Sequence, residues 1–314
     1  MTRADGQDMD QDRRQRCSDL AGLLHRFAGA DGLHHAPSPG VHCVRYSKSD
    51  RATKRQWRAC LAIVAQGCKE VVVGSDTFAA DAGQFTAAPI HLPVISRIAA
   101  AAPESPFLAM LIDLEPRLLN EVAAHFEAVA PQDFATPARG FFRGTASAEM
   151  LDAAVRLATL FGSREDAQAL GPLVVKELFY HLLKGPEGAA IRQFARSATV
   201  THRISRAAFE IRSGLGDHLD VAALAKSARM SRSAFFKHFK AVTSLSPIQY
   251  QKRLRLLEAQ RLMVDHGETA EQSSFRVGYT SASQFSREYS RMFGQSPLRH
   301  VLKLKRTGVA ARQI

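Results

Sequence analysis

A 17-residue segment occurs twice in the last third of this chain, and that duplication constrains the fold more than any other feature. Residues 231–247, SRSAFFKHFKAVTSLSP, superpose on 281–297, SASQFSREYSRMFGQSP, at a constant offset of 50. Ser231, Ser233, Phe235, Ser246 and Pro247 recur as Ser281, Ser283, Phe285, Ser296 and Pro297, while Lys237 and Phe239 recur conservatively as Arg287 and Tyr289. Two copies are too few for a solenoid, so the pattern is that of a duplicated supersecondary unit.

Each copy has a helical stretch, a tight turn and a second helix opening at a serine suited to N-capping. LDVAALAKSA is followed by Arg229-Met230 and Ser231, and TAEQSSFRV by Gly278-Tyr279-Thr280 and Ser281. This is the grammar of a helix-turn-helix. Phe235 and Phe239, four apart, share the face that must be buried. The opposite face then carries Arg232, Ser233, Phe236, Lys237 and Lys240 in the first copy, and Ala282, Ser283, Gln284, Ser286 and Arg287 in the second. Arg and Lys suit guanine O6 and N7, Gln suits adenine, and Ser suits either, so both helices have the side chains that a major-groove reader needs. An ordinary solvated basic face is the alternative for either helix alone; the same turn, buried aromatics and basic residue in both copies favour the nucleic-acid reading. Between them IQYQKRLRLLEAQRLM predicts one helix with apolar groups on two sides, clamped between two lobes. Such a connector would place the recognition helices in successive major grooves, about 34 Å apart.

Charge agrees with this reading. Residues 191–314 hold 22 Lys and Arg against 8 Asp and Glu, whereas residues 1–190 hold 20 against 22, so all of the net +12 lies in the final 124 residues. A basic domain beside a near-neutral one is the footprint of a polyanion binder, with an anionic membrane surface as the alternative. With 314 residues, 46% of them hydrophobic, the chain has material for about two cored domains. No apolar run reaches the length of a membrane span, and the polar start has no signal-peptide character, so a cytoplasmic protein is expected. Cys17, Cys43, Cys60 and Cys68 lack CxxC spacing, which argues against a disulfide or metal framework.

The first half changes character along its length. Residues 1–19 read as a mobile N-terminus, leading into a short docking helix with Leu20, Leu23, Leu24 and Phe27 at helical spacing. Residues 41–114 read as all-β: VHCVRY, ACLAIVAQG, KEVVVG, PVISRIA and PFLAMLIDL, separated by turn signals. Helices follow in EPRLLNEVAAHF, AEMLDAAVRLATLF and PLVVKELFYHLL, with Pro116 and Pro172 in first turns. The last has more apolar positions than one face needs, which implies burial or a dimer contact. The expected order is a regulatory domain over 20–185, a linker over 186–202, a DNA-binding domain over 203–305 and a basic tail over 306–314.

MSRSAFFKHFKAVTSLSPIQYQKRLRLLEAQRLM followed by FRVGYTSASQFSREYSRMFGQSP resembles the DNA-binding domain of the AraC/XylS family of transcription regulators, across residues 203–302. A second resemblance, over 20–185, is to the N-terminal domain of one subgroup of that family. Together they imply an α+β protein: an N-terminal cupin-like β-barrel with trailing helices, then an all-α domain of two helix-turn-helix units joined by a long helix. They also imply a double-stranded DNA operator, a small-molecule effector in the N-terminal domain, RNA polymerase as a partner, a homodimer, a transcriptional activator and no cofactor. Two departures stand out. Ser273-Ser274 replace the family's usual Ile-Ala, with a looser second core as the expected result, and Phe236 stands where a polar residue is common. Phe236 either meets a thymine methyl group or packs within the protein.

Two other readings of the first half arise from its residues. A cupin fold can hold a catalytic metal, yet His34, His35, His42 and His91 show no HxH or His-Glu spacing, so no enzyme is expected. Cys60 and Cys68 are expected to be buried structural cysteines; the alternative is a redox sensor, because the charges of nearby Arg58 and Lys69 would favour thiolates.

Overall fold

The computed structural model describes residues 3–127 and 136–306. Helix α1 (Arg3–Phe27) leads into strands β1 (Gly32–His35), β2 (Val41–Tyr46), β3 (Thr53–Trp57), β4 (Cys60–Gln66), β5 (Cys68–Val73), β6 (Asp76–Asp81), β7 (Gln84–Ala88), β8 (Leu92–Ala100) and β9 (Phe107–Asp113). Then come α2 (Pro116–Glu127), β10 (Phe142–Thr145), α3 (Ala148–Thr159), α4 (Arg164–Ala169), α5 (Gly171–Lys184), α6 (Gly188–Ala195) and α7 (Val200–Ser213). The remainder is helical: α8 (Val221–Ser227), α9 (Arg232–Thr243), α10 (Pro247–Asp265), α11 (Ala270–Arg276), α12 (Ala282–Phe293) and α13 (Pro297–Arg306).

The strands form two antiparallel sheets, in the orders β1-β2-β9-β4-β7-β10 and β3-β8-β5-β6. The architecture is the expected α+β one, though the sheets keep separate edges and no hydrogen-bonded closure into a barrel is seen among the described residues. Strand β4, CLAIVAQ, is buried at nearly every position because sheet and helices cover both its faces. Trp57 stacks on Phe141 at 5.1 Å, and the buried ammonium of Lys69 lies 4.9 Å from the Trp57 ring. Burial, reinforced by Arg55, pushes the Lys69 pKa down to about 7. The sandwich interior beside Lys69 leaves about 10 Å³, lined by Val44, Val71 and Phe107, which is room for one water molecule.

Two segments bear on the expected boundaries. Residues 3–19, read as mobile, are part of α1, in which Cys17, Leu20 and Leu24 are buried and Arg16 pairs with Asp12 and with Asp152 of α3. The i,i+4 pair and the tertiary anchor hold a segment whose composition alone looks disordered. The supposed linker, 186–202, is largely helical: Ile191, Phe194 and Thr201 are buried, and the Ala138 N–H donates to both Gln193 Oε1 at 3.1 Å and Thr201 Oγ1 at 3.0 Å. A buried side-chain network of this kind fixes the two halves together. The basic tail past Arg306 lies outside the described residues.

Helix α5 buries Val175, Leu178, Phe179, Leu182 and Leu183 and leaves its Leu173 and Tyr180 exposed. The duplicated units then divide the remaining core unequally. Phe235, Phe239, Tyr250 and Leu254 join the apolar cluster that runs back through the sandwich, whereas Leu256, Leu262, Met263, Val277, Phe285 and Tyr289 form a second cluster of their own. Helix α10 contributes to both, which explains its two apolar faces. Tyr250 also donates to the His91 carbonyl at 2.6 Å and meets Phe239 edge-on, so the first unit is locked onto the sandwich.

Candidate nucleic-acid interface

The sequence repeat is reproduced atom for atom at the ends of α9 and α12. Ser231 and Ser281 cap the two N-termini, accepting from the N–H of Ala234 and Gln284 respectively. Both helices end in a left-handed residue, Ser244 at φ 63° and Gly294 at φ 75°, 50 positions apart. Phe235 and Phe239, like Phe285 and Tyr289, are fully buried, with ring centroids 5.6 and 5.4 Å apart. These aromatic pairs set the rotation of each helix about its axis.

The opposite face follows from that rotation. Arg232, Ser233, Lys237 and Lys240 are exposed on α9, and Ser283, Gln284 and Arg287 on α12. Ala282, Ser286 and Phe236 are half-buried. Phe236 packs against the core of the first unit, which favours its packing role over a thymine contact. Gln284 reaches Glu288 at 3.4 Å, and Glu288 also binds Tyr279 and Lys252 at 2.8 Å each.

The turns differ by one position. Arg229 takes the left-handed conformation in the first (φ 54°) and Gly278 in the second (φ 89°), although Gly278 corresponds in the repeat to Ala228. Gly278 lies against the Gly216 carbonyl of the α7–α8 connection. Arg255 of α10 staples this junction, donating to the carbonyls of Leu215 at 2.7 Å, Asp217 at 2.7 Å and Gly278 at 3.1 Å. Ser273 and Ser274, expected to loosen the second core, are fully buried yet satisfied, by Glu268 at 3.3 Å and by the Glu271 carbonyl at 2.7 Å. Arg255 escaped the sequence reading because its partners are backbone carbonyls, which leave no compositional trace.

A cleft of about 450 Å³ opens between the sandwich and α7. Its floor is apolar, with Ile90, Leu119 and Phe209, and its walls carry Arg58, Arg206 and Arg212. Arg58 pairs with Asp113 at 2.6 Å, while the Arg212 Nε is buried without a hydrogen-bond partner. Burial, then the charges of Arg212 and Arg58, hold His91 in this cleft down at about pKa 4. A neutral imidazole thus sits among three arginines, with Asp113 and Glu115 also in the lining. This cleft lies at the border of the sandwich with α7, outside the interior between the two sheets.

The histidines and thiols take other roles. His35 and His42 bring their Nδ1 atoms within 2.9 Å, and His42 reaches Asp113 at 3.4 Å. Among the described residues no group of three or more His, Cys, Asp or Glu is arranged to hold a metal ion, and no helix is long and apolar enough to cross a membrane. Burial pushes the Cys60 thiol up to about 12 despite Lys69 and Arg58, and burial with an Asp81 hydrogen bond pushes Cys68 up to about 11. Desolvation outweighs the nearby charges, which favours structural cysteines over the redox alternative. Alkylation of the native protein at pH 7.5 should be far slower at Cys60 than in the unfolded chain, where an ordinary thiol ionises near pH 8.5. Equal rates would contradict this environment.

Comparison with known proteins agrees with the geometry. A family model described as the AraC-type transcriptional regulator N-terminus matches residues 37–190, and one described as a helix-turn-helix domain matches 224–301. The probable transcriptional regulator LumQ of Photobacterium leiognathi is 33% identical over 82 residues, 26% of this chain and 33% of LumQ. The transcriptional regulator AlkR of Acinetobacter baylyi is 35% identical over 77 residues, 24% of this chain and 25% of AlkR. The chain thus spans about a third or less of the length of these curated relatives. ToxT of Vibrio cholerae shares the fold, with a TM-score of 0.57 and 10% identity over 83% of this chain and 97% of that one. An unsaturated-fatty-acid-bound form of ToxT gives 0.55 and 13% identity, over 83% and 94%. On these two matched domains, in this order, the chain belongs to the AraC/XylS family of transcription regulators.

Proposed function

We propose that this chain is a sequence-specific DNA-binding transcription regulator that reads two successive major grooves through α9 and α12. One observation carries the reading: two helices with equivalent caps, equivalent buried aromatics and exposed basic faces stand on the half of the chain that holds the whole positive excess. Arg232, Ser233, Lys237, Lys240, Ser283, Gln284 and Arg287 meet base edges or phosphates, with Phe236, Ala282 and Ser286 at the margins. The protein acts in the cytoplasm, as a homodimer that engages RNA polymerase, and is no enzyme. Its effector is an apolar acid, the class bound by ToxT in its fatty-acid complex, seated in the cleft with its anionic group toward Arg212.

Selection of the full chain against a random DNA pool tests the main claim. One enriched sequence with two parts about one helical turn apart is expected, bound with affinity that falls steeply with salt. Enrichment of no sequence would overturn it. For the effector, a medium-chain fatty acid should raise the melting temperature of the wild type and leave Arg212→Met unmoved; an equal shift in both would remove Arg212 from the site.

A further inference from the structure

Under the 50-residue repeat, Val242 in the last turn of α9 corresponds to Met292 in the last turn of α12. Both carbonyls are bound from the N-terminal domain. The Gly140 N–H donates to the Val242 oxygen at 2.8 Å, and the Lys54 ammonium donates to the Met292 oxygen. Last-turn carbonyls have no partner within their own helix, and the negative end of the helix favours a cation there. The two donors come from the two sheets of one domain: Gly140 leads into β10 of the six-stranded sheet, and Lys54 lies on the four-stranded one. Lys54 lies on β3, in register with Ile95 of β8, while Arg139, next to Gly140, pairs with Asp76 of β6, and β3, β8, β5 and β6 form a single sheet. The β5–β6 turn adds a third point: Gly74, at φ 65°, is so close to the left-handed Ser244 that a Cβ would lie 2.7 Å from the Ser244 side chain.

We infer that the N-terminal domain is a two-point clamp on the recognition helices, through Gly140 and Lys54, in which Lys54 is a positioning residue that fixes the second helix relative to the first. The first unit has further ties to the sandwich through its shared core, whereas the second has its own cluster and is joined through α10. Lys54 therefore holds the more independent unit. Its functional consequence, resting on the DNA-reading role proposed above, is selectivity for the spacing between the two half-sites.

Two measurements on the full chain separate this inference from that role. Spin labels at the exposed, equivalent positions Ser233→Cys and Ser283→Cys, in a Cys68→Ser background, should give one narrow distance distribution. Lys54→Met should broaden it and Lys54→Arg should restore it. An unchanged distribution in Lys54→Met overturns the clamp, with no DNA involved. On the selected operator, wild type should lose affinity when one base pair is inserted between the half-sites. Lys54→Met should shrink that penalty by about tenfold, the weight of one charge-assisted hydrogen bond. The same spacing profile in both proteins would overturn the link to selectivity, and failure to select any DNA would count against the DNA-reading role alone.

Discussion

Gly278→Ala is expected to destabilise the second helix-turn-helix unit by about 2–5 kcal/mol, the sum of a left-handed penalty and an overpacked contact. The backbone there has φ 89°, and a Cβ would stand 2.2 Å from the Gly216 carbonyl oxygen and 2.8 Å from an Arg255 nitrogen. Arg255 can swing away, but Gly216 is backbone, so the turn must lift from the α7–α8 connection. The damage should stay local because the second unit has its own apolar cluster. Amides of α11 and α12 should exchange with deuterium faster, while those of β4 and β9 keep their protection. Ala228→Gly at the equivalent position of the first copy should cost at most about 1 kcal/mol, since Ala228 is in ordinary helical geometry. Equal protection of α11 in the variant and the wild type would show that the turn tolerates a side chain.

What was legible in the sequence follows from how local each signal is. The repeat, its serine caps and its aromatic pairs are set within four residues of one another, so α9 and α12 could be read with their exposed faces. The apolar positions on two sides of α10 likewise announced a helix between two cores. Strands with polar or very short sequences, TKRQW in β3, DTFAAD in β6 and GLHH in β1, carry no alternation strong enough to read. Their place is fixed by partners across the sheet. For the same reason the separation into two sheets was beyond reach, because pairing order is a property of distant segments.

The cleft shows the same limit more sharply. Arg58, His91, Arg206 and Arg212 come from a strand connection, a second connection and a helix of the other half, and only folding brings them together. The thiols show a different limit. Arg58 and Lys69 are indeed near Cys60, yet burial decides the sign of its pKa shift, and burial is invisible to a count of neighbouring charges.

Loss of one side chain should also separate the two recognition helices by function. Arg287 and Lys237 occupy equivalent, exposed positions, each opposite its buried aromatic pair. A guanidinium can grip guanine O6 and N7 together, whereas an ammonium is a point charge that serves a base or a phosphate equally well. Arg287→Ala is therefore expected to cost about 1–3 kcal/mol on the selected operator and to relax the requirement at one base pair. Lys237→Ala should instead weaken binding to all sequences alike and lower the salt slope by about one. The fully buried, hydrogen-bonded Ser273 and Ser274 bear on the outcome, because a second unit with a satisfied core can hold its recognition helix steady enough for a bidentate contact. Titrations on the operator and its single-base variants, at two salt concentrations, read both effects. If Arg287→Ala lowers affinity equally for every variant, α12 holds phosphates through Arg287, and α9 then carries the base reading.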